Sequence, residues 1–269
     1  VEALRLRIAD RQVGAEEKLA CWWLGGSGFV FKSAGGAVVY VDPYLSDSVN
    51  GIFGVGRIFP PPILPEDVRA DAIVSTHWHE DHLDPGTIPA IAKSDAGAKF
   101  LMPPSAMSRA LGWGVPGNRI TAMAHGDSQR VGADITVTAT PARHDARIPG
   151  WEVPDAMGVI IESQGLRVYH CGDTEYDIRL REMKSHPPDV AILCINGLTG
   201  NMDVYEAALL AWQLGAKVIV PMHHHLWAKN PPAATLDPNV LAETYKKLGG
   251  TGRVVIPEVG GEIELRPNV

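Results

Sequence analysis

The segment STHWHEDHLD, residues 75–84, places three histidines, two aspartates and a glutamate within ten positions. A solvated charge run would draw on Lys, Glu and Ser without fixed spacing. Here His77, His79, Asp81 and His82 read H-x-H-x-D-H. Alternate residues of an extended segment point the same way, so His77 and His79 can share one metal ion. A turn after them lets Asp81 and His82 face a second. Imidazole and carboxylate together suit zinc, manganese or iron. Further ligand types follow other apolar runs: His144 after TATPAR, Asp173 after VYHCG, and His223 after the run ending at Met222. Each stands where a strand would leave the core and enter a cleft.

These residues need strands to carry them. Short apolar runs at 19–25, 28–33, 37–42, 71–77, 135–142, 158–163, 166–172, 189–196, 216–223 and 252–258 read as strands with Gly-rich punctuation. Helical patterns fall at 84–94, with Asp84 as N-cap and Pro85 in the first turn, and at 202–215 and 237–250. In 202–215, Asp203 and Glu206 have capping-box spacing and Gly215 suits the C-cap. The order predicts an α/β chain of two mixed sheets packed face to face with helices outside, in one domain over residues 1–269. Two Gly- and Pro-containing stretches, 48–65 and 143–158, read as loops that either cover the core or shape a binding site.

Composition narrows the function. Hydrophobic residues make up 45% and charged residues 20%, an ordinary globular balance. The formal charge of −7 disfavours a broad nucleic-acid or anionic-membrane surface. It allows a small-molecule substrate, even an anionic one, because bound cations reverse local charge. Cys21, Cys171 and Cys194 are too few and too far apart for a disulfide framework or a CxxC zinc site. No apolar run is long enough to span a bilayer and no signal peptide is read, so a reducing cytoplasm is the expected location.

The ligand order resembles the metallo-β-lactamase superfamily, an αββα four-layer sandwich of metal-dependent hydrolases. Within it, CWWLGGSGFVFKSAGGAVVYVDP, STHWHEDHLD, GWGVPGNRI, YHCGDTEY and VIVPMHHHLW are similar to the L-ascorbate-6-phosphate lactonase branch. The resemblance implies that His77, His79 and His144 hold one metal, that Asp81, His82 and His223 hold a second, and that Asp173 bridges them. Two Mn²⁺ or Zn²⁺ ions would activate a water between them and stabilise the oxyanion formed at the attacked carbonyl. Asp81 would also manage a proton during ring opening. The implied reaction is the opening of a sugar-acid lactone, phosphorylated or not. A homo-oligomer, formed through the 48–65 loop, is also expected.

Several residues keep two readings. His223 is the favoured ligand of the triple histidine, while His224 or His225 could contact substrate or act as an acid. Arg143, Arg147, Trp151, Lys229 and Asn230 lie in loops near the ligands and could bind a substrate carboxylate or phosphate. Asn196 and Gly197 could line the pocket. Asp42 either anchors the metal loops or begins a plain Asp-Pro turn. Trp78 could wall the cleft, and Cys171 reads as a buried, inert thiol. The same ligands would serve a phosphodiesterase acting on a cyclic nucleotide or a phospholipid head group. A metal-binding protein that has kept the fold without catalysis is the remaining alternative.

Overall fold

The computed structural model describes residues 2–144, 148–198, 200–228 and 237–266, and among these residues it contains two seven-stranded sheets. The first holds β1 (Leu19–Gly25), β2 (Gly28–Ser33), β3 (Val38–Val41), β4 (Ala72–Val74), β5 (Lys99–Met102) and β6 (Ile120–Ala122). The second holds β7 (Ser128–Val131), β8 (Ile135–Pro141), β9 (Met157–Ser163), β10 (Leu166–His170), β11 (Val190–Cys194), β12 (Val218–Met222) and β13 (Arg253–Val254). A short β14 (Glu262–Ile263) returns to pair with β1 at the edge of the first sheet. Both sheets are mixed. In the first, β1 to β3 are antiparallel and β3 to β6 parallel. In the second, β7 to β10 are antiparallel and β10 to β13 parallel.

The period of two explains the layers. Along β1, Leu19, Cys21 and Trp23 join one core, and Ala20, Trp22 and Leu24 join another. Phe29, Phe31, Val39 and Val41 share the first core with β8 to β12 and with helices described below, while Val30 and Tyr40 belong to the second. The first sheet is therefore buried on both faces. Helices α1 (Glu2–Asp10), α3 (Ile88–Ser94) and α4 (Pro104–Gly112) pack on its outer face, after the short α2 (Ser48–Phe53) in chain order. Helices α5 (Val204–Leu214) and α6 (Pro238–Lys247) pack on the second sheet. This is the αββα sandwich expected from the sequence.

Helix α5 has the predicted capping box, with Asp203 accepting from Tyr205 and Glu206 N–H and Gly215 left-handed at its end. Two predicted boundaries are corrected. The strand expected over 71–77 stops at Val74, because the Asp42 carboxylate takes the Thr76 N–H at 2.7 Å where a neighbouring strand would otherwise accept it. His77 and His79 therefore lie on a bent loop, and His82 and Leu83 N–H both turn back to the His79 carbonyl. The helix expected from Asp84 starts at Ile88 after Thr87. Asp84 is diverted: its buried carboxylate accepts from Leu45 and Ser46 N–H, the Ser46, Ser48 and Thr87 hydroxyls, and Gly86 N–H. It ties the start of α2 to the metal-motif loop. No helix among the described residues is long and apolar enough to cross a membrane.

Candidate metal centre

The seven predicted ligands converge from strand ends on one edge of the sandwich. His77, His79, Asp81 and His82 follow β4, His144 follows β8, Asp173 follows β10 and His223 follows β12. His77 Nε2 lies 2.9 Å from His79 Nδ1, which lies 3.1 Å from His144 Nε2. On the other side His223 Nε2 is 3.3 Å and His82 Nε2 3.8 Å from Asp81 Oδ2. Asp173 Oδ2 stands between the two groups, 3.4 Å from both His82 and His223 Nε2 and 3.9 Å from His144 Nε2. His77, His79 and His144 form one cluster able to hold a cation, and Asp81, His82 and His223 another; His77, His82 and Asp173 link them.

Each imidazole is aimed by a contact at its far nitrogen. His79 Nε2–H reaches the Trp151 carbonyl at 3.1 Å, and His144 Nδ1–H the Gly200 carbonyl at 3.0 Å. His82 Nδ1–H donates to Asp42 Oδ2 at 2.7 Å. His77 Nδ1 lies 3.1 Å from the Thr76 hydroxyl, which itself donates to Asp42. His223 Nδ1 lies 3.1 Å from Asn196 Nδ2, and because Asn196 Oδ1 has no partner of its own among the described residues, the flipped amide, with Oδ1 accepting from His223 Nδ1–H, satisfies both. With those nitrogens protonated, bare lone pairs of His77, His79 and His144 face one another at hydrogen-bond distance with no proton to share. Buried His82 Nε2 and Asp173 Oδ1 likewise have no hydrogen-bond partner among the described residues. Cations among these atoms relieve both conflicts, and outer partners of this kind are what orient ligating histidines. The donor set therefore fits a pair of divalent ions.

Electrostatics divide the centre. Burial holds His77 well below the usual imidazole range and, with His144 nearby, lowers His79 to about 4. Those two rings are neutral at pH 7. Burial also pushes on His82 and His223, but Asp173 and Asp81 outweigh it, raising His82 well above its usual value and His223 to about 10. Burial disfavours the charged form of Asp81, yet His82 and His223 hold it down at about 2. Burial acts on Asp173 in the same direction, and His223 and His82 hold it well below the usual carboxylate range. The half containing both carboxylates thus demands positive charge, as protons or as a cation.

The local backbone is shaped to reach this geometry. Asp42 and His223 adopt φ of 45° and 60°, left-handed values that cost non-glycine residues about 1–3 kcal/mol. Gly172, at φ 61°, has no room for a side chain: an added Cβ would sit 2.6 Å from the Met157 carbonyl and 3.0 Å from Thr76 Cβ. The hairpin tip after β1 receives the triple-histidine segment, with His223 N–H on the Gly26 carbonyl at 2.9 Å and the Trp23 and His224 rings 5.0 Å apart. The two sequence motifs WWLG and HHHLW are thus in contact.

Other predicted residues separate. Asn196 sits behind His223. Trp151 places its ring 4.9 Å from that of His79, as well as holding it through the carbonyl. His224 is buried and His225 exposed, their Nδ1 atoms 2.9 Å apart. Arg143 is largely exposed, 3.5 Å from Glu175, and with Arg179 lines a cavity that the candidate ligand His144 also borders. Arg147, Lys229 and Asn230 lie outside the described residues. Cys171 is buried, and burial pushes its thiol well above the usual range. Asp42 is an anchor rather than a turn residue. Sequence reasoning passed over Thr76, Asn201, which donates to Asp173 Oδ2 at 2.7 Å, and His170, which donates to the Ser27 carbonyl and accepts from Gly172 N–H. His170 and Thr76 stood inside the quoted motifs but are not recognisable as supports without their partners.

Residues 38–224 match the beta-lactamase superfamily domain. A probable L-ascorbate-6-phosphate lactonase UlaG of Escherichia coli O127:H6 is 30% identical over 301 residues, covering 96% of this chain and 84% of that protein. The metallo hydrolase Igni18 of Ignicoccus hospitalis superposes with a TM-score of 0.72 at 25% identity, covering 91% of this chain and 97% of the other. The diiron β-hydroxylase CmlA of Streptomyces venezuelae has the same fold, with a TM-score of 0.70 at 12% identity, over 92% of this chain and 54% of that one. With a matching family domain, the same two-sheet architecture and two histidine–aspartate clusters able to hold ions, the chain belongs to the beta-lactamase superfamily as a metal-dependent hydrolase.

Proposed function

We propose that the protein opens a lactone, a cyclic carboxylic ester, at a centre of two divalent ions, Mn²⁺ or Zn²⁺. The observation that carries this reading is the convergence of five outward-locked imidazoles and two carboxylates at one sheet edge. The likeness to lactonases over nearly the whole chain supports the choice of bond. In this reading His77, His79 and His144 would hold one ion and Asp81, His82 and His223 the other, with Asp173 standing between the two groups. Bound there, the ions supply Lewis-acid polarisation of a carbonyl and lower the pKa of water.

The chain's own residues then do the positioning. Asp42, Thr76, Asn196 and the Trp151 and Gly200 carbonyls fix which ring nitrogen is bare. Asn201 orients Asp173. Asp81 is the more exposed of the two carboxylates, at 20% of its side chain against 6%, and His82 and His223 keep it ionised. It is placed to take the proton of the attacking water and return it to the ring oxygen that leaves.

A pH-indicator assay on protein loaded with Mn²⁺ or Zn²⁺ tests this. The expected result is acid release from lactones that a chelator abolishes. Turnover of phosphodiesters alone would keep the centre and overturn the bond. Chelator-insensitive turnover would overturn the metal assignment.

A further inference from the structure

A chamber of about 220 Å³ adjoins the metal centre. Its apolar lining is Val49 and Phe53 of α2 with Val55, Trp151 and Trp227, and among the described residues its charged lining is Glu80 and Asp81. Of the seven candidate ligands Asp81 lines it, and the lining residue Trp151 packs on His79 and, at 5.2 Å, on Phe53. The substrate's non-reacting part would therefore enter here while its carbonyl meets the centre. The wall is pinned to the segment after His223. Ile58 N–H donates to the Leu226 carbonyl at 2.9 Å, Ala228 N–H to Gly56 at 3.0 Å, and Arg57 and Trp227 form an antiparallel bridge.

Among the described residues, no basic side chain lines this chamber. The Arg57 guanidinium donates to the carbonyls of Tyr44, Ser46 and Phe59. Arg109 lies 3.9 Å over the Trp78 ring and pairs with Glu80 at 3.2 Å. A phosphate here would meet mainly apolar walls, which return little of the hydration it gives up. An aryl or alkyl group would bury apolar surface against phenyl and indole faces. The volume is that of about seven liquid waters, so the group must be compact.

We infer that the chamber selects an uncharged lactone carrying a compact apolar ring or short alkyl substituent, and discriminates against phosphorylated sugar lactones. The inference rests on the lactonase reading above, and two readouts keep the two apart. The first is binding, followed by tryptophan fluorescence with unreactive lactams: γ-phenyl-γ-butyrolactam against a polyhydroxylated gluconolactam. The phenyl lactam should bind at least about tenfold tighter, and Phe53→Ala should remove most of that advantage. Phe53 is 44% exposed, so its truncation leaves the core intact. The second readout is kcat/KM for γ-phenyl-γ-butyrolactone, unsubstituted γ-butyrolactone and phosphorylated gluconolactone, expected in that descending order. Preference for the phosphorylated sugar lactone, or indifference of the phenyl preference to Phe53→Ala, overturns the inference and leaves the lactonase reading standing. Tight phenyl-lactam binding without hydrolysis of any lactone supports the chamber assignment and overturns the lactonase reading.

Discussion

Replacing Asp42 by Asn tests whether the second ion site is built from outside its ligands. The carboxylate is fully buried and accepts three hydrogen bonds of 2.7 Å, from Thr76 N–H, the Thr76 hydroxyl and His82 Nδ1–H. Asn keeps the shape and tolerates the left-handed φ of 45°, so the backbone is not the variable. It has one acceptor oxygen instead of two. If that oxygen faces His82, the amide NH₂ meets the Thr76 N–H, and a buried donor goes unsatisfied at about 1–3 kcal/mol. If it faces Thr76 N–H, the NH₂ meets His82 Nδ1. The ring must then accept there and carry its proton on Nε2, the nitrogen that points at Asp81 and Asp173.

The first arrangement lowers folding stability, whereas the second subtracts about 1–3 kcal/mol from second-ion binding, which is about 5- to 150-fold in affinity. That range brackets the 10- to 100-fold loss typical of removing an outer partner. Competition titration against a metal indicator should show the binding event at Asp81, His82 and His223 shifted more than the other, which Asp42 reaches only through Thr76 and His77. Nitrogen chemical shifts of the imidazoles should report a changed His82 tautomer. Activity should recover at high metal concentration. Affinity for both ions within twofold of the parent would refute the reasoning, and so would a loss shared equally by both.

Further outcomes are expected. His79→Ala removes the Nδ1 that faces both His77 and His144, so bound metal by elemental analysis should fall by one ion per chain and hydrolysis should nearly vanish; full metal content with an unchanged rate would remove His79 from the centre. Binding of the second ion must displace protons from His82 and His223, whose pKa values are raised, the latter to about 10, whereas His77 and His79 are already neutral. Second-ion affinity should therefore rise with pH from 6 to 9 and first-ion affinity much less, and calorimetry in buffers of different ionisation enthalpy should show proton release confined to the second event. Lys32 is buried and donates to the Ile8 and Ala9 carbonyls near the end of α1, so Lys32→Met should lower the stability of metal-free protein by about 2 kcal/mol in chemical denaturation while leaving kcat/KM unchanged. Ile52, Ile58 and Leu64 are exposed on the 48–65 stretch, and we propose it as a homo-oligomer contact; sedimentation showing only monomer at micromolar concentration would dismiss it.

Much of the fold was legible because long runs carried the pattern. Strands β1, β8, β9 and β11 are five to seven residues, mostly apolar, and bounded by turn residues. The strands that went unread are two to four residues long. β6 (ITA) and β14 (EI) have no period of their own and take their register from β5 and β1. β7 (SQRV) is mainly exposed, so its sequence carries no burial signal. Helix α1 interleaves charged and apolar residues and meets the core through Leu4 and Ile8. The mistaken start of the third helix has a different origin. Asp84 and Pro85 do form a valid local start signal, but four of the six contacts of the carboxylate go to Leu45, Ser46 and Ser48, and this tertiary bonding overrode the local preference.

The centre divides along the same physical line. Ligands were legible because metal chemistry restricts residue type, and a strand end restricts position. Their supports were not, since a Thr, an Asn or a backbone carbonyl becomes an orienting group only through a partner distant in sequence: Thr76 through Asp42, Asn201 through Asp173, the Trp151 carbonyl through His79. The same asymmetry separates reaction from substrate. Ligand identity recurs wherever two ions activate water, so it points to hydrolysis and to no particular molecule. What the substrate's remainder meets is set by Phe53, Trp151 and Trp227, brought together from α2, from the stretch that ends in β9, and from the turn after β12. No spacing rule links those three positions, and a pattern of ligands shared with sugar-phosphate lactonases says nothing of them. Two chains can therefore share every metal contact and differ in what they cleave, with the difference carried by a few apolar side chains in loops.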